Sequence, residues 1–378
     1  MKIAVICEEQ VELLPPVLSL LSSLGRLGHD TTLITRDGSA IRRLGVDVNR
    51  IVEYGKLPAG GLARKGFPFH ASSAIREELR RGQGEYDLIW TTTDISARAA
   101  GRELYNYRYV VQLMELVETV PLVWNRLPLH SNEVKEIARR AWKVVVPEYN
   151  RAYLQQVYWS LPKVPCVLPN KPAYQREDGE VGENPYQAKV DLVARDERKV
   201  ILYQGVFGAD RDLTPYARAV ERMSDSFVLY LMGPSDDPAS KQRIETLCKD
   251  FTCVNYLGYI EPPHHLAFAR YAWGGLMPYA PTWNNRFSPF NALYCAPNKI
   301  WEYTRFGLPV IASDVPGIRQ ALEGGDFGRV VNASSVDSIV RAIEDVDERH
   351  DLMSKNSRAY YDSVDFDAIV ADILEDQQ

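Results

Sequence analysis

The sequence predicts an α/β protein of two Rossmann-like domains, each with a parallel sheet, facing an interdomain cleft. Three observations point there. Short apolar, β-rich runs alternate with helical stretches in both halves, as in parallel sheets covered on both faces. A polar, aperiodic stretch over 171–197 separates the two alternations. The length, 378 residues, suffices for two domains of ordinary size.

In the first half, Ile3–Ile6 is a short apolar strand. Leu18, Leu21, Leu24 and Leu27 then recur at helical spacing before Gly28-His29-Asp30. Thr32–Thr35, Asp87–Thr91, Tyr109–Leu113 and Lys143–Pro147 are further strands, giving a first domain over 1–170. Residues 171–197, rich in Pro, Glu, Asp, Gly and Gln, form a linker or surface excursion. The second domain, 198–356, opens with strand Val200–Tyr203. A Gln-Gly-Val-Phe-Gly turn follows, then a helix through Tyr216 and Val220. Phe227–Met232 ends in Gly233-Pro234 and Val254–Leu257 ends in Gly258. Gly275–Pro278, Pro309–Ser313 and Arg329–Val331 complete the sheet. From Ser357, the spacing of Tyr360, Tyr361, Phe366, Ile369, Val370 and Ile373 indicates one or two amphipathic helices.

Composition narrows the function classes. The chain is 46% hydrophobic and 25% charged, with a net charge of −6, which argues against a general nucleic-acid binder. Five cysteines without CxxC or metal-ligand spacing fit reduced thiols in a cytosol. Met1-Lys2 runs straight into a strand, so no signal peptide is expected, and no apolar run approaches ~18 residues. The expected location is cytoplasmic, with peripheral contact at the inner membrane face left open.

Residues 297–313 carry the most chemistry. Pro297 and Asn298 open a helix, Gly307 closes it, and Leu308–Ala312 is an apolar strand. A helix N-terminus has unpaired N–H groups and partial positive charge, which suits a phosphate. Lys299 adds a cation there. Glu302, one turn on and on roughly the same face, can accept two hydrogen bonds from a vicinal diol such as ribose. The alternative is a surface Lys299–Glu302 pair worth ~0.2–0.5 kcal/mol.

The string Pro-Asn-Lys-x-x-Glu-Tyr-x-x-x-Gly-x-Pro-Val-Ile-Ala-Ser resembles the donor-binding segment of retaining GT-B glycosyltransferases, in particular glycosyltransferase family 4. The resemblance is specific over about 254–320. It implies that Glu302 binds the nucleotide ribose and that Asn298 and Lys299 lie at the diphosphate. It also implies that the tail 357–378 crosses back onto the first domain. The family often carries a second glutamate eight residues before Glu302, where this chain has Tyr294.

The remaining candidates follow from that frame. Gly205 and Gly208 lie in the turn after the second domain's first strand, where glycines let a ligand approach the backbone. Arg211 matches the basic residue that the family places on the diphosphate. The other reading of that turn is a plain βα connection with a solvated arginine. Asp210-Arg211-Asp212 is an Asp-x-Asp triplet of the kind that holds a divalent metal in GT-A enzymes. At a helix start such acids also serve as caps, and Asp365-Phe366-Asp367 repeats the pattern. Gly258 and Tyr259 resemble the loop that reads the nucleobase; Tyr259 either stacks on the base or packs on the domain. In the long stretch 281–296, with Trp283, Asn284, Asn285 and Arg286, Asn291 and Tyr294 are the choices for the donor sugar.

In the first domain, Asp94 in Thr91-Thr92-Thr93-Asp94 either orients or deprotonates an acceptor hydroxyl or caps the next helix. Glu115 and Glu118 present carboxylates in the same region, and His70 and His130 are available for the histidine that the resemblance implies near the reacting sugar. Arg64, Lys65, Arg76, Arg80 and Arg81 form either a solvated helix face or a contact for an anionic lipid.

These readings combine into a glycosyltransferase moving a sugar from a nucleotide-diphosphate sugar to a hydroxyl of a glycan or glycolipid, with retention. Arg211 and Lys299 neutralise the leaving diphosphate, so no metal is required and no cofactor is expected. A nucleotide-sugar epimerase or hydrolase on the same fold, or a non-catalytic nucleotide-sugar-binding subunit, are the alternatives.

Overall fold

The computed structural model describes residues 1–56, 61–117, 131–173, 184–208, 210–235, 237–282 and 288–375. The chain divides into two units, Met1–Tyr174 with Asp365–Gln378, and Gln175–Val364.

The first unit runs β1 Lys2–Cys7, α1 Pro15–Arg26, β2 Asp30–Thr35, α2 Ser39–Leu44, β3 Arg50–Glu53, α3 Gly61–Arg81, β4 Leu88–Thr91, α4 Asp94–Ala100, β5 Tyr109–Gln112, α5 Ser131–Arg140, β6 Lys143–Val146, α6 Tyr149–Trp159 and β7 Cys166–Val167. Its seven strands lie in the order β3-β2-β1-β4-β5-β6-β7, and every pair is parallel. Central β1 is apolar from Ile3 to Cys7 because both its faces are covered. Ile3 and Val5 point to the α1 side with Leu33, Leu88 and Trp90, while Ala4 and Ile6 pack with Ile34, Ile89 and Ile75 on the other.

The second unit runs α7 Gln187–Ala194, β8 Lys199–Gln204, α8 Thr214–Glu221, β9 Phe227–Met232, α9 Pro238–Asp250, β10 Val254–Tyr256, α10 Leu266–Ala269, β11 Gly274–Met277, α11 Pro289–Leu293, α12 Asn298–Thr304, β12 Val310–Ser313, α13 Pro316–Gly325, β13 Gly328–Val331, α14 Val336–Glu348 and α15 His350–Asp362. Its strands follow the order β10-β9-β8-β11-β12-β13, again all parallel. Two α/β layers with parallel sheets are thus present, as the alternation predicts.

Two boundaries differ from the sequence expectation. The stretch 171–197 is not only a linker: it contains α7, whose Val190 and Val193 are buried in the second unit's core. The return to the first unit begins at Asp365, not at Ser357. Ser357 is buried and donates to Leu308 O (2.8 Å), Arg358 donates to Arg305 O (2.7 Å), and Tyr361 joins the second core. These contacts keep α15 in the second unit. The last helix, α16 Phe366–Leu374, is capped by Asp365, whose carboxylate accepts from Ala368 N at 3.0 Å. Phe366, Val370, Ile373 and Leu374 pack with Leu18, Leu21 and Leu24 of α1, and Arg26 pairs with Asp367 at 2.6 Å.

Candidate functional site

The site candidates of the second unit gather where β8, β9 and β10 end. Ligands in open parallel sheets bind outside these carboxyl ends. Gly205 follows β8 and Gly233 follows β9, with φ of 143° and 152°. A β-carbon on Gly233 would stand 1.8 Å from Gly205 O, so the two turns touch through bare backbone. Gly205 N donates to Met232 O (2.9 Å) and Gly233 N to Gly258 O (3.1 Å), which ties Gly258 to the same rim. Tyr259 beside it is exposed.

Helix α12 is held by its buried face. Ile300, Trp301, Tyr303 and Thr304 are buried. Tyr303 donates to Leu202 O at 3.1 Å, and its ring lies against Gly275 so closely that a β-carbon there would stand 2.3 Å from it. The helix ends with Gly307 at φ 69° and Leu308 N donating to Tyr303 O (3.1 Å), a Schellman closure. No side chain caps its start at Pro297. With that anchoring, Asn298, Lys299 and Glu302 stand where the sequence reading places them, on one short helix.

Lys299 lies over Gly205, with Nζ 5.5 Å from the centre of the Tyr203 ring and 5.7 Å from that of Tyr279. The Arg211 guanidinium stacks on the same Tyr279 ring at 3.7 Å. Burial, and then the charge of Arg211, bring the Lys299 ammonium down to about 8. Two cations sharing one aromatic ring repel each other and favour an anion between or beside them. Among the described residues Lys299 has no hydrogen bond or ion pair, whereas Arg211 is paired with the Asp210 carboxylate.

Glu302 is enclosed and held at both oxygens. Gln204 Nε2 donates to Oε2, and His265 Nε2 lies 3.3 Å from Oε1. Burial opposes ionisation of Glu302, but the His265 imidazole, the Lys299 charge and the Gln204 amide together hold its carboxyl below the usual range. Sequence reasoning missed both partners. Gln204 is a lone polar residue ending an apolar strand, and His265 sits in the Pro262-Pro263-His264-His265 loop.

The Asp-x-Asp triplet is engaged elsewhere. Asp210 pairs with Arg211, and Asp212 Oδ1 accepts from Thr214 N (2.9 Å) at the start of α8. Among the described residues no group of three His, Cys, Asp or Glu side chains gathers as a metal site. Gly208 closes the turn by accepting from Arg211 N at 3.0 Å. Asn291 lies on α11, half-buried, and Tyr294 follows it with its ring stacked on Phe290 at 6.4 Å. Cys295, next in the chain, is close enough to Lys299 and Arg211 to affect both. Trp283, Asn284, Asn285 and Arg286 lie outside the described residues.

In the first unit, Thr93 rather than Asp94 caps α4: its hydroxyl accepts from Ser96 N at 3.1 Å. Asp94 is the first helical residue and is buried. Thr91 and Thr92 spend their hydroxyls on Val110 O and Ile6 O. Glu115 lies 3.8 Å from Arg151, and His70 Nε2 is 2.8 Å from Tyr54 O. Glu118 and His130 lie outside the described residues. Much of the basic region is internally matched. Arg76 donates to Ala99 O (3.0 Å) at the end of α4, Arg80 pairs with Glu103 and Arg81 with Glu77. The side chains of Arg64 and Lys65 are not among those described. No helix among the described residues is long and apolar enough to cross a membrane.

Residues 198–348 match the family model of glycosyl transferases group 1. The whole chain is similar in fold to sucrose-phosphate synthase from Thermosynechococcus elongatus, at 18% identity and TM-score 0.71, covering 99% of this chain and 97% of that one. It is also similar to HepE of Anabaena in complex with UDP (13% identity, TM-score 0.70, 99% and 98% covered). A third similar structure is a Listeria monocytogenes protein assigned as a UDP-N-acetylglucosamine 2-epimerase (13% identity, TM-score 0.63, 99% and 94% covered). No curated protein matches in sequence. The fold is GT-B, and the residues that match the group 1 glycosyl transferase model lie in the second unit.

Proposed function

We propose that this chain, with its group 1 glycosyl transferase domain at 198–348, moves a sugar from a nucleotide-diphosphate sugar to a hydroxyl of a glycan or glycolipid, with retention at the sugar carbon. The observation that carries the donor assignment is the surroundings of α12. Lys299 and Arg211 share the Tyr279 ring, while Glu302 is held rigidly one turn away. The two cations offset the charge that builds on the leaving diphosphate as the sugar–phosphate bond breaks. Glu302 takes the ribose hydroxyls. The base lies by Gly258 and Tyr259, and the sugar by Asn291 and Tyr294. The first unit takes the acceptor, with Asp94 as its candidate for orienting the hydroxyl. No metal and no cofactor is needed in this scheme, and the protein works in the cytoplasm or peripherally at a membrane face.

The similarity to an assigned epimerase keeps isomerisation as a second reading, because both chemistries need the same nucleotide grip. Incubating the protein with UDP-, GDP- and ADP-sugars, with and without glycan and lipid acceptors, separates them. Acceptor-dependent release of nucleoside diphosphate supports transfer. Acceptor-independent conversion of the sugar supports the epimerase.

A further inference from the structure

The Glu302 carboxylate, with 12% of its side chain exposed, lies among groups that are themselves buried. Gln204, at 4% exposure, and His265, at 9%, come from different elements, the end of β8 and the loop before α10. Gln204 donates to Oε2 and His265 approaches Oε1 at 3.3 Å, so one hydrogen-bond partner is fixed on each oxygen. The Gln204 backbone is fixed as well, its N–H lying 3.3 Å from the Tyr303 hydroxyl. Each carboxylate oxygen accepts two hydrogen bonds. With one place per oxygen already taken, one place per oxygen remains, and the two are side by side. Gln204 Oε1 and His265 Nδ1 are also buried without partners, so neither clamp is tied down on its far side by another protein group.

We infer that Gln204 and His265 are positioning residues that fix the Glu302 carboxylate to accept a vicinal diol, and thereby make the site selective for a ribonucleotide over its deoxy counterpart. The inference rests on the donor assignment above and adds the groups that give it selectivity. A freely rotating carboxylate must be ordered before both its oxygens can meet a diol, and it can turn to meet a single hydroxyl. A clamped one loses a charge-assisted hydrogen bond when either hydroxyl is missing, because it cannot turn to refill the second place left open on that oxygen.

The test is titration calorimetry with UDP, GDP and ADP and the 2′-deoxy form of each. The wild-type protein is expected to prefer the ribonucleotide of its best diphosphate by about tenfold or more. His265→Ala and Gln204→Met should reduce that preference to below about threefold while changing affinity for the deoxy form little. His265→Gln, which keeps a donor near the same place, should restore most of it. A purely structural role would weaken ribo and deoxy forms alike. An unchanged preference in Gln204→Met and His265→Ala overturns the inference and leaves the donor assignment standing. Wild-type protein that binds none of the three diphosphates overturns both. Thermal melts accompany each variant; should His265→Ala not fold, Gln204→Met decides alone.

Discussion

A β-carbon added to Gly205 would stand 2.7 Å from Nζ of Lys299. The lysine therefore lies directly on the bare backbone of the turn after β8, in space that any other residue would fill. That contact joins the glycine turn to α12 as one surface.

Gly205→Ala should accordingly displace Lys299 and strain a backbone held at φ 143°. The expected result is about 1 kcal/mol or more of lost stability and clearly weaker nucleoside-diphosphate binding. Urea denaturation and calorimetry on the same preparation read both effects.

Affinity for a nucleoside diphosphate should fall as pH rises past the Lys299 titration at about 8. Below that pH the ammonium is charged and attracts the diphosphate; above it the charge is lost. Lys299→Arg should hold affinity nearly level to pH 9.5. The stability effect has the opposite sign. Between about 8 and the ordinary 10.5, the unfolded chain keeps a proton that the folded chain has released, so this group makes stability rise with pH. A wild-type binding profile that stays flat across pH 7–9.5 would remove Lys299 from the anion site.

Activity should survive EDTA, and Asp210→Asn with Asp212→Asn should not create a metal requirement. Asp210 already balances Arg211, and Asp212 caps a turn. Complete loss in chelator, restored by manganese or magnesium, would reverse this reading.

Phe366 of α16 packs among the α1 leucines of the first unit. Phe366→Ala should cost ~3–5 kcal/mol there, seen as a shifted denaturation transition. Nucleoside-diphosphate affinity, which the proposed function assigns to the second unit, should be unchanged in native conditions.

Much of this was legible in the sequence, and the exceptions have physical causes. The strands of both sheets announce themselves because buried parallel strands are continuous apolar runs, as in Ile3–Ile6 or Phe227–Met232. Strand β3 carries Arg50 and Glu53 at an edge, and β7 is two residues long, so neither has an apolar signature. Helix α7 hides in a polar stretch because only Val190 and Val193 face a core. Lys299 and Glu302 could be found because their spacing lies within one helix. Gln204 and His265 could not, because their relation to Glu302 exists only after distant segments come together. Thr93 and Asp94 are adjacent cap-forming residues, and which of them caps α4 depends on backbone angles that composition does not encode.

The most direct test of the account is calorimetric titration of UDP, GDP and ADP into wild-type protein and Glu302→Ala. The account predicts that at least one diphosphate binds the wild type, and that the substitution weakens it by ~1.5–3 kcal/mol with the melting profile preserved. Equal affinity of the folded variant and the wild type for that diphosphate would contradict it.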